Sequence, residues 1–249
     1  MSVTRRMLLA GGAASLVSGC DVLGSNANFQ SLLRLGEAGN FTIQRALTHR
    51  MALAREYRPD QRSPIFRANG TRLPPGAAYA AHVEENFVNW QMKLDGLVAR
   101  PQSLSLAALR LMPQRSQITR HDCVEGWSAI GKWTGVPLKL LLDAAGLKPT
   151  ARYLVFHCAD RMAGETVYYE SIDLIDAYHP QTLLAWALND SMLPVGNGAP
   201  VRLRVERQLG YKQAKYVERI EAVASLDGVY GGKGGYWEDR SGYEWYAGI

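Results

Sequence analysis

The chain has 249 residues, 47% of them hydrophobic and 20% charged, with a formal net charge of +5. This is an ordinary globular composition, enough for one domain of roughly 200–230 residues with a sizeable core. Setting Arg5 and Arg6 aside leaves 26 basic against 23 acidic residues, interleaved and without a long run, which argues against a nucleic-acid-binding surface but permits a local anion site made by a few convergent donors.

The N-terminus reads as a targeting segment. Thr4-Arg5-Arg6-Met7-Leu8-Leu9 is a twin-arginine start, and the apolar run from Leu8 to Val17 is too short to span a bilayer. Such leaders export proteins already folded, often with a cofactor in place. Val17-Ser18-Gly19-Cys20 resembles a bacterial lipobox, so a lipid on Cys20 is expected to anchor the protein rather than thread it. Asp21 resembles a signal for retention at the inner membrane. The expected organisation is a signal over 1–20, a linker and N-terminal extension over 21–75, and the main domain over 76–249, on the periplasmic side of a bacterial inner membrane.

Gly24, Ser25, Asn26 and Asn28 suggest a linker through residue 45, and Gln44 to Glu56 has helix-like periodicity. The consecutive prolines of "RLPPGAAYA" (72–80) force an extended or turn segment. Leu104 to Met112 predicts a short helix after an edge strand. Gln117 to Val124 predicts a strand that delivers Cys123 at its end. "VPLKLLLDAAG" (136–146) predicts a helix with Pro137 in its first turn and Gly146 as its C-cap. Arg152 to His157 reads as a buried strand and Ser171 to Tyr178 as a helical turn before Pro180. Gln181 to Leu188 fits either helix or strand. Val201 to Glu206 and Tyr216 to Ser225 alternate as half-buried strands. The fold class is α+β, a mixed β-rich domain with short helices, without the regular alternation of a doubly wound sheet.

The chemistry centres on "HDCVEGWS" (121–128). His121 and Cys123 share one face of a strand, so the imidazole could activate the thiol as a nucleophile. If Cys20 carries lipid, Cys123 and Cys158 remain, and in an oxidising compartment they could form a disulfide. "GWSAIG" fails as a nucleophile elbow because Gly131 comes one residue late. "GVYGGKGGYW" (228–237) has Gly234 where a phosphate loop needs Ser or Thr, leaving a flexible aromatic-flanked turn. There is no haem-attachment motif and no cysteine pair at zinc spacing, and the histidines at 49, 82, 121, 157 and 179 are dispersed. A further possibility is a thiolate as sole protein ligand to a soft metal held mainly by an organic cofactor. Gly126 would leave room for it, and cationic and backbone donors would hold its anionic end.

Two long segments carry a resemblance. "HDCVEGWSAIGKWTGVPLKLLLDAAG" (121–146) and "NGAPVRLRVERQLGYKQAKYVERIE" (197–221), with the weaker "ENFVNW" (85–90), resemble the cofactor segments of the sulfite oxidase-like molybdopterin oxidoreductase family, and most of all its bacterial single-cofactor members. The resemblance covers roughly residues 80–246. It implies Mo-molybdopterin as cofactor, with Cys123 as the thiolate on molybdenum and Glu125 as a carboxylate near the metal, suited to proton delivery. It implies cofactor contacts from Asn86, Asn197, Arg202, Gln213, Ala214 and Lys215. Cys158 falls where a bacterial member has a threonine near the cofactor, and a thiol is the poorer donor. His121 and Asp122 have weaker claims to direct function, and Trp127 and Trp133 read as packing around the site. The arginines with which sulfite oxidases bind their dianionic substrate have no counterpart from Val124 to Ser128, and the chain closes on the aromatic-rich "YWEDRSGYEWYAGI" instead of a dimerisation domain, which disfavours sulfite and an obligatory dimer. The implied activity is oxygen-atom transfer on a small or protein-borne substrate, with electrons exchanged with a membrane cytochrome b. The rivals are a cysteine-dependent hydrolase or redox thiol using His121 and Cys123, and a non-catalytic lipoprotein with a Cys123–Cys158 bridge.

Overall fold

The computed structural model describes residues 26–162 and 166–249. The twin-arginine start and Cys20 lie outside the described residues. The chain divides into two compact units, Met1–His49 and Arg50–Ile249. In the first, helix α1 (Ala27–Leu47) occupies the stretch expected to be linker. Asn26, one of the residues that suggested the linker, is its N-cap, accepting from the amides of Asn28 and Phe29 at 2.9 and 3.2 Å. The helix stops at Leu47, so the periodicity from Gln44 to Glu56 is helical only at its start; Glu56 instead pairs with Thr119.

In the second unit, residues 50–75 lie on the body of the domain: the amides of Tyr57 and Ser63 donate to the carbonyls of Ile118 and Ile130 at 2.8 and 2.9 Å. Beyond them run α2 (Ala77–Glu84), β1 (Gln91–Gly96), β2 (Gln102–Ser105), α3 (Leu106–Leu111), β3 (Arg115–Cys123), β4 (Trp127–Pro137), α4 (Leu138–Ala145) and β5 (Tyr153–Met162). There follow β6 (Thr166–Asp173), α5 (Leu174–Ala177), β7 (Leu183–Leu188), β8 (Ser191–Met192), β9 (Arg202–Arg204), β10 (Val217–Val223) and α6 (Tyr236–Ser241). One sheet has the order β2-β1-β10-β5-β6. The other has β3-β4-β7-β8, with β9 on β7. β1 and β10 pair in parallel, and every other strand pairing is antiparallel.

α4 turns Leu138, Leu141, Leu142 and Ala145 into the core, and Gly146 ends it in the left-handed conformation at φ +68°. Pro137 is the N-cap of α4 and the last residue of β4. β9 is buried at all three positions instead of alternating, because its charges are housed inside. Arg204 pairs with Glu206 at 2.6 Å, both fully buried, and Arg202 lies over the Trp133 ring at 5.1 Å. The main cluster, which includes Trp90, Phe156, Leu203 and Ile220, draws on both sheets and α4. It packs β5, β9 and the loop before β10 together through Phe156, Leu203, Ala214 and Tyr216.

Candidate active site

The β3–β4 hairpin presents Cys123, Val124 and Glu125 at its tip. Cys123 pairs with Trp127 across the hairpin, and the Gly126 amide closes the turn onto the Cys123 carbonyl at 3.0 Å. Gly126 sits at φ +83° with open space where a Cβ would project. The turn needs a left-handed residue, which glycine accepts at no steric cost. Arg120 and Ser128 both donate to Asp122, at 2.9 and 2.5 Å, pinning the strands behind the tip.

Cys123 is half-buried and a free thiol, and so is the deeply buried Cys158. The disulfide weighed from the sequence is therefore absent. Cys158 faces the Phe156 carbonyl inside β5, with Sγ 3.8 Å from that oxygen. The nucleophile reading also loses its geometry. His121 is completely buried, and its Nδ1 accepts from Arg204 at 3.0 Å. Burial, then Arg204 and Arg202, hold the imidazole well below its usual range. Burial, ahead of the Glu125 carboxylate, pushes the Cys123 thiol up. A thiol with a raised value beside a neutral, sequestered imidazole has no base to activate it.

Cys123 lines a cavity enclosing about 720 Å³, open solvent at its mouth included, together with Glu125, Asp160, Tyr211, Gln213 and Lys215. Glu125 is exposed and accepts from Trp127 Nε1 at 2.9 Å. Lys215, in the loop before β10, donates to the carbonyls of Asn69 and Gly196, at 2.7 and 3.1 Å, and of Thr71. Arg202 donates to the carbonyls of Asn197 and Gln213 at 2.9 and 3.2 Å. Among the described residues neither cation makes an ion pair. Burial first, then Arg202, brings Lys215 down to about 7; burial first, then Arg204, brings Arg202 down to about 9. Beside them the buried Arg202 Nε and Asn197 Nδ2 have no hydrogen-bond partner.

Native interiors rarely hold two cations with carbonyl partners but no counter-ion beside polar atoms left without a hydrogen bond. Such a set fits a polar, anionic group seated near Arg202, Lys215 and Asn197, in a cavity that a free thiol also lines. Ala214 is buried in the same loop, and its carbonyl accepts from the Leu203 amide at 2.8 Å. Thus Cys123, Glu125, Asn197, Arg202, Gln213, Ala214 and Lys215 converge on one region. Asn86, exposed at a left-handed turn at φ 52°, and Cys158, buried within β5 near Asp160 and Lys215, are not among the residues that line the cavity.

The structure adds lining residues that the sequence reading had not assigned: Asn69, Gly70 and Thr71, Asp160 and Met162 on β5, Tyr168 on β6, and Trp237 and Tyr243 near the C-terminus. Trp133, read as packing, is a platform: the guanidiniums of Arg204 and Arg202 lie 4.3 and 5.1 Å from its ring centre. Periodicity carries no trace of these meetings, although the unusual density of arginines in "RLRVER" was a usable signal.

A family model described as the oxidoreductase molybdopterin binding domain matches residues 79–228. A putative protein-methionine-sulfoxide reductase subunit YedZ1 from Azospira oryzae is 36% identical over 241 residues, covering 95% of this chain and 83% of that protein. The protein-methionine-sulfoxide reductase catalytic subunit MsrP from Ralstonia nicotianae is 36% identical over 164 residues, or 62% of this chain; the match spans about half (49%) of that relative's length. Among solved structures, the sulfane dehydrogenase SoxCD from Paracoccus pantotrophus matches with a TM-score of 0.52 at 22% identity, over 62% of this chain and 41% of that one. That likeness is one of fold. The family match begins within α2 and takes in the thiol, the unpaired cations and the loop between them. The chain belongs to the oxidoreductase molybdopterin-binding domain family and is a molybdopterin-dependent oxidoreductase of sulfite oxidase-type fold.

Proposed function

We propose that this enzyme reduces sulfoxides, with methionine sulfoxide carried on proteins as the substrate. The observation that carries the reading is the cavity itself: a free thiol, a carboxylate and Lys215 line it, the buried Arg202 is bonded to the Gln213 carbonyl of its wall, and no arginine stands among its described lining residues to hold a dianion such as sulfite. The names of the two relatives point the same way. When bound, molybdenum in molybdopterin supplies two-electron oxygen-atom transfer.

The chain's part is to bind, orient and protonate. Cys123 Sγ would hold the metal. Arg202, Lys215 and the Asn197 amide would hold the anionic and polar parts of the cofactor, with the Gln213–Ala214 backbone fixing the loop. Glu125 Oε2 is occupied by Trp127, so Oε1 is the atom that carries a proton to the departing oxygen. In the net reaction the sulfur–oxygen bond breaks, sulfur gains two electrons, and the oxygen leaves as water with two protons. The electrons come from a separate membrane cytochrome of b type. The twin-arginine start and Cys20 place the enzyme, in this reading, folded and lipid-anchored on the periplasmic side of the inner membrane.

The test is the full chain produced with its leader and a molybdenum supply. The expected outcome is near-stoichiometric molybdenum, lost in Cys123→Ala, and oxidation of a reduced viologen dye when a methionine-sulfoxide peptide is added. A loaded enzyme that turns over no sulfoxide would sink the proposal. Cys20→Ala should release the protein from membranes, and unchanged retention would refute the anchor.

A further inference from the structure

The end of the chain is built into the cavity. Trp237 and Tyr243 line it together with Tyr211. Trp237 and Tyr243 stack at 5.8 Å with an interplanar angle of 24°, and Tyr211 meets Tyr243 edge-on at 5.1 Å. Tyr243 is 37% exposed and Val124, in the thiol turn, 45% exposed, whereas Tyr211 is 7% exposed. The three rings therefore run from the surface down into the cavity, with apolar residues exposed at the rim.

This wall is fixed in place. The Tyr211 hydroxyl donates to the Glu244 carbonyl at 2.5 Å, and Trp245 Nε1 donates to Ser171 Oγ at 2.8 Å. The Leu209 amide donates to the Ala247 carbonyl at 2.9 Å, and the Ile249 amide to the Arg207 carbonyl at 3.0 Å. Beneath them Lys212 bridges Glu170 at 2.6 Å and Glu238 at 2.5 Å, with all three side chains buried.

The molybdenum-binding and proton-carrying roles use none of these rings. An aromatic face is a poor partner for a charged substrate such as sulfite. It is a good one for a polarizable sulfur between a methylene and a methyl, because sulfur packs favourably against ring edges and faces. Rigid aromatic side chains also bind at little conformational cost. Apolar exposure at the rim gives the backbone around such a side chain a surface to cover. We infer that Trp237 and Tyr243 are specificity-determining residues that grip the methionine side chain of a polypeptide, which enters the cavity as the sulfoxide and leaves it as the thioether. The inference rests on the sulfoxide-reductase reading and names the residues that select its substrate.

The experiment uses the loaded enzyme and two short peptides, one with a single methionine and one with norleucine in its place, their binding measured by titration calorimetry. Trp237→Ala and Tyr243→Ala should each weaken the methionine peptide about tenfold. Trp237→Phe and Tyr243→Phe, which keep a ring, should stay within about threefold of the parent, and norleucine should bind the parent more weakly than methionine. The KM for the sulfoxide form of the peptide should rise in the alanine variants with molybdenum content unchanged. Alanine variants that bind within about twofold of the parent overturn the inference. Should an alanine variant lose metal, the phenylalanine variants and the norleucine comparison decide: equal binding of the two peptides overturns the role of the rings. A parent that reduces no sulfoxide refutes the functional reading by a separate measurement, while the peptide comparison still decides this one.

Discussion

Lys215 shows what an enzyme built around an anionic cofactor does to its own stability. Its ammonium is buried, and burial, then Arg202, brings it to about 7 from an ordinary 10.5; Arg72 adds to the push, while Asp160 and Cys158 oppose it. The folded state thus releases a proton that the unfolded chain keeps. Below pH 7 both states are charged and the burial cost is fully present. From pH 7 to 10.5 the unfolded chain binds more protons, so this group's contribution makes the cofactor-free protein more stable as pH rises. Lys215→Met should flatten that rise and, at pH 7, increase the melting temperature of the cofactor-free protein while abolishing molybdopterin loading. Thermal unfolding at pH 7 and 9.5, with molybdenum analysis, checks both. A variant that loads normally would remove Lys215 from the cofactor cradle. A residue of this kind is legible in sequence only through a matched motif, because a lysine between a buried alanine and a tyrosine looks like any half-exposed strand residue until its partners, the carbonyls of Asn69, Thr71 and Gly196, are brought in from far along the chain.

At the scale of elements, the β3–β4 hairpin sets the position of Cys123, and its glycines differ sharply in what they tolerate. Gly126 needs its positive φ but has nothing within 4 Å of a Cβ, so Gly126→Ala should cost only the backbone strain, about 1 kcal/mol. At Gly135 a Cβ would lie 2.2 Å from the Leu184 carbonyl oxygen, where backbone cannot yield. Gly135→Ala should cost about 3 kcal/mol or more, as overpacked sites do. Urea unfolding of the cofactor-free variants measures both, and equal losses would contradict this account. The same glycines explain why β3 was legible and β4 was not. β3 delivers Cys123 as the strand reading predicts, whereas no strand was expected over β4, whose Gly131 and Gly135 are strand positions where Phe66 and β7 approach closely. Gln181 to Leu188, open between helix and strand, resolves as β7 because it is paired on both sides, with β4 on one and β8 and β9 on the other, and a strand sandwiched in this way needs no alternation.

For the whole molecule, the sequence disclosed the cofactor end of the site far better than the substrate end. Cys123, Arg202 and Lys215 sit within two contiguous motifs, while the aromatic wall comes from a tail whose attachment depends on Lys212 meeting Glu170 and Glu238, two carboxylates from separate stretches. With two acids facing one ammonium in a dry interior, burial raises the Glu170 carboxyl well above the carboxylate range even against the pull of Lys212. Such a cluster fixes geometry without adding net stability, since the loss of solvation offsets most of the attraction. Removing one partner exposes that balance. Lys212→Met leaves two buried carboxyls with no cation and should destabilise the protein by about 3–5 kcal/mol, and limited proteolysis should then cut within residues 229–249, where the parent resists. Adding Glu170→Gln and Glu238→Gln to Lys212→Met removes the charges together and should recover most of the lost stability. If the triple variant is as unstable as Lys212→Met alone, the cluster matters for its packing and not its charge; if Lys212→Met leaves both stability and the cleavage pattern unchanged, the tail is held by its backbone hydrogen bonds and aromatic contacts, and the ion cluster does not fasten the substrate wall.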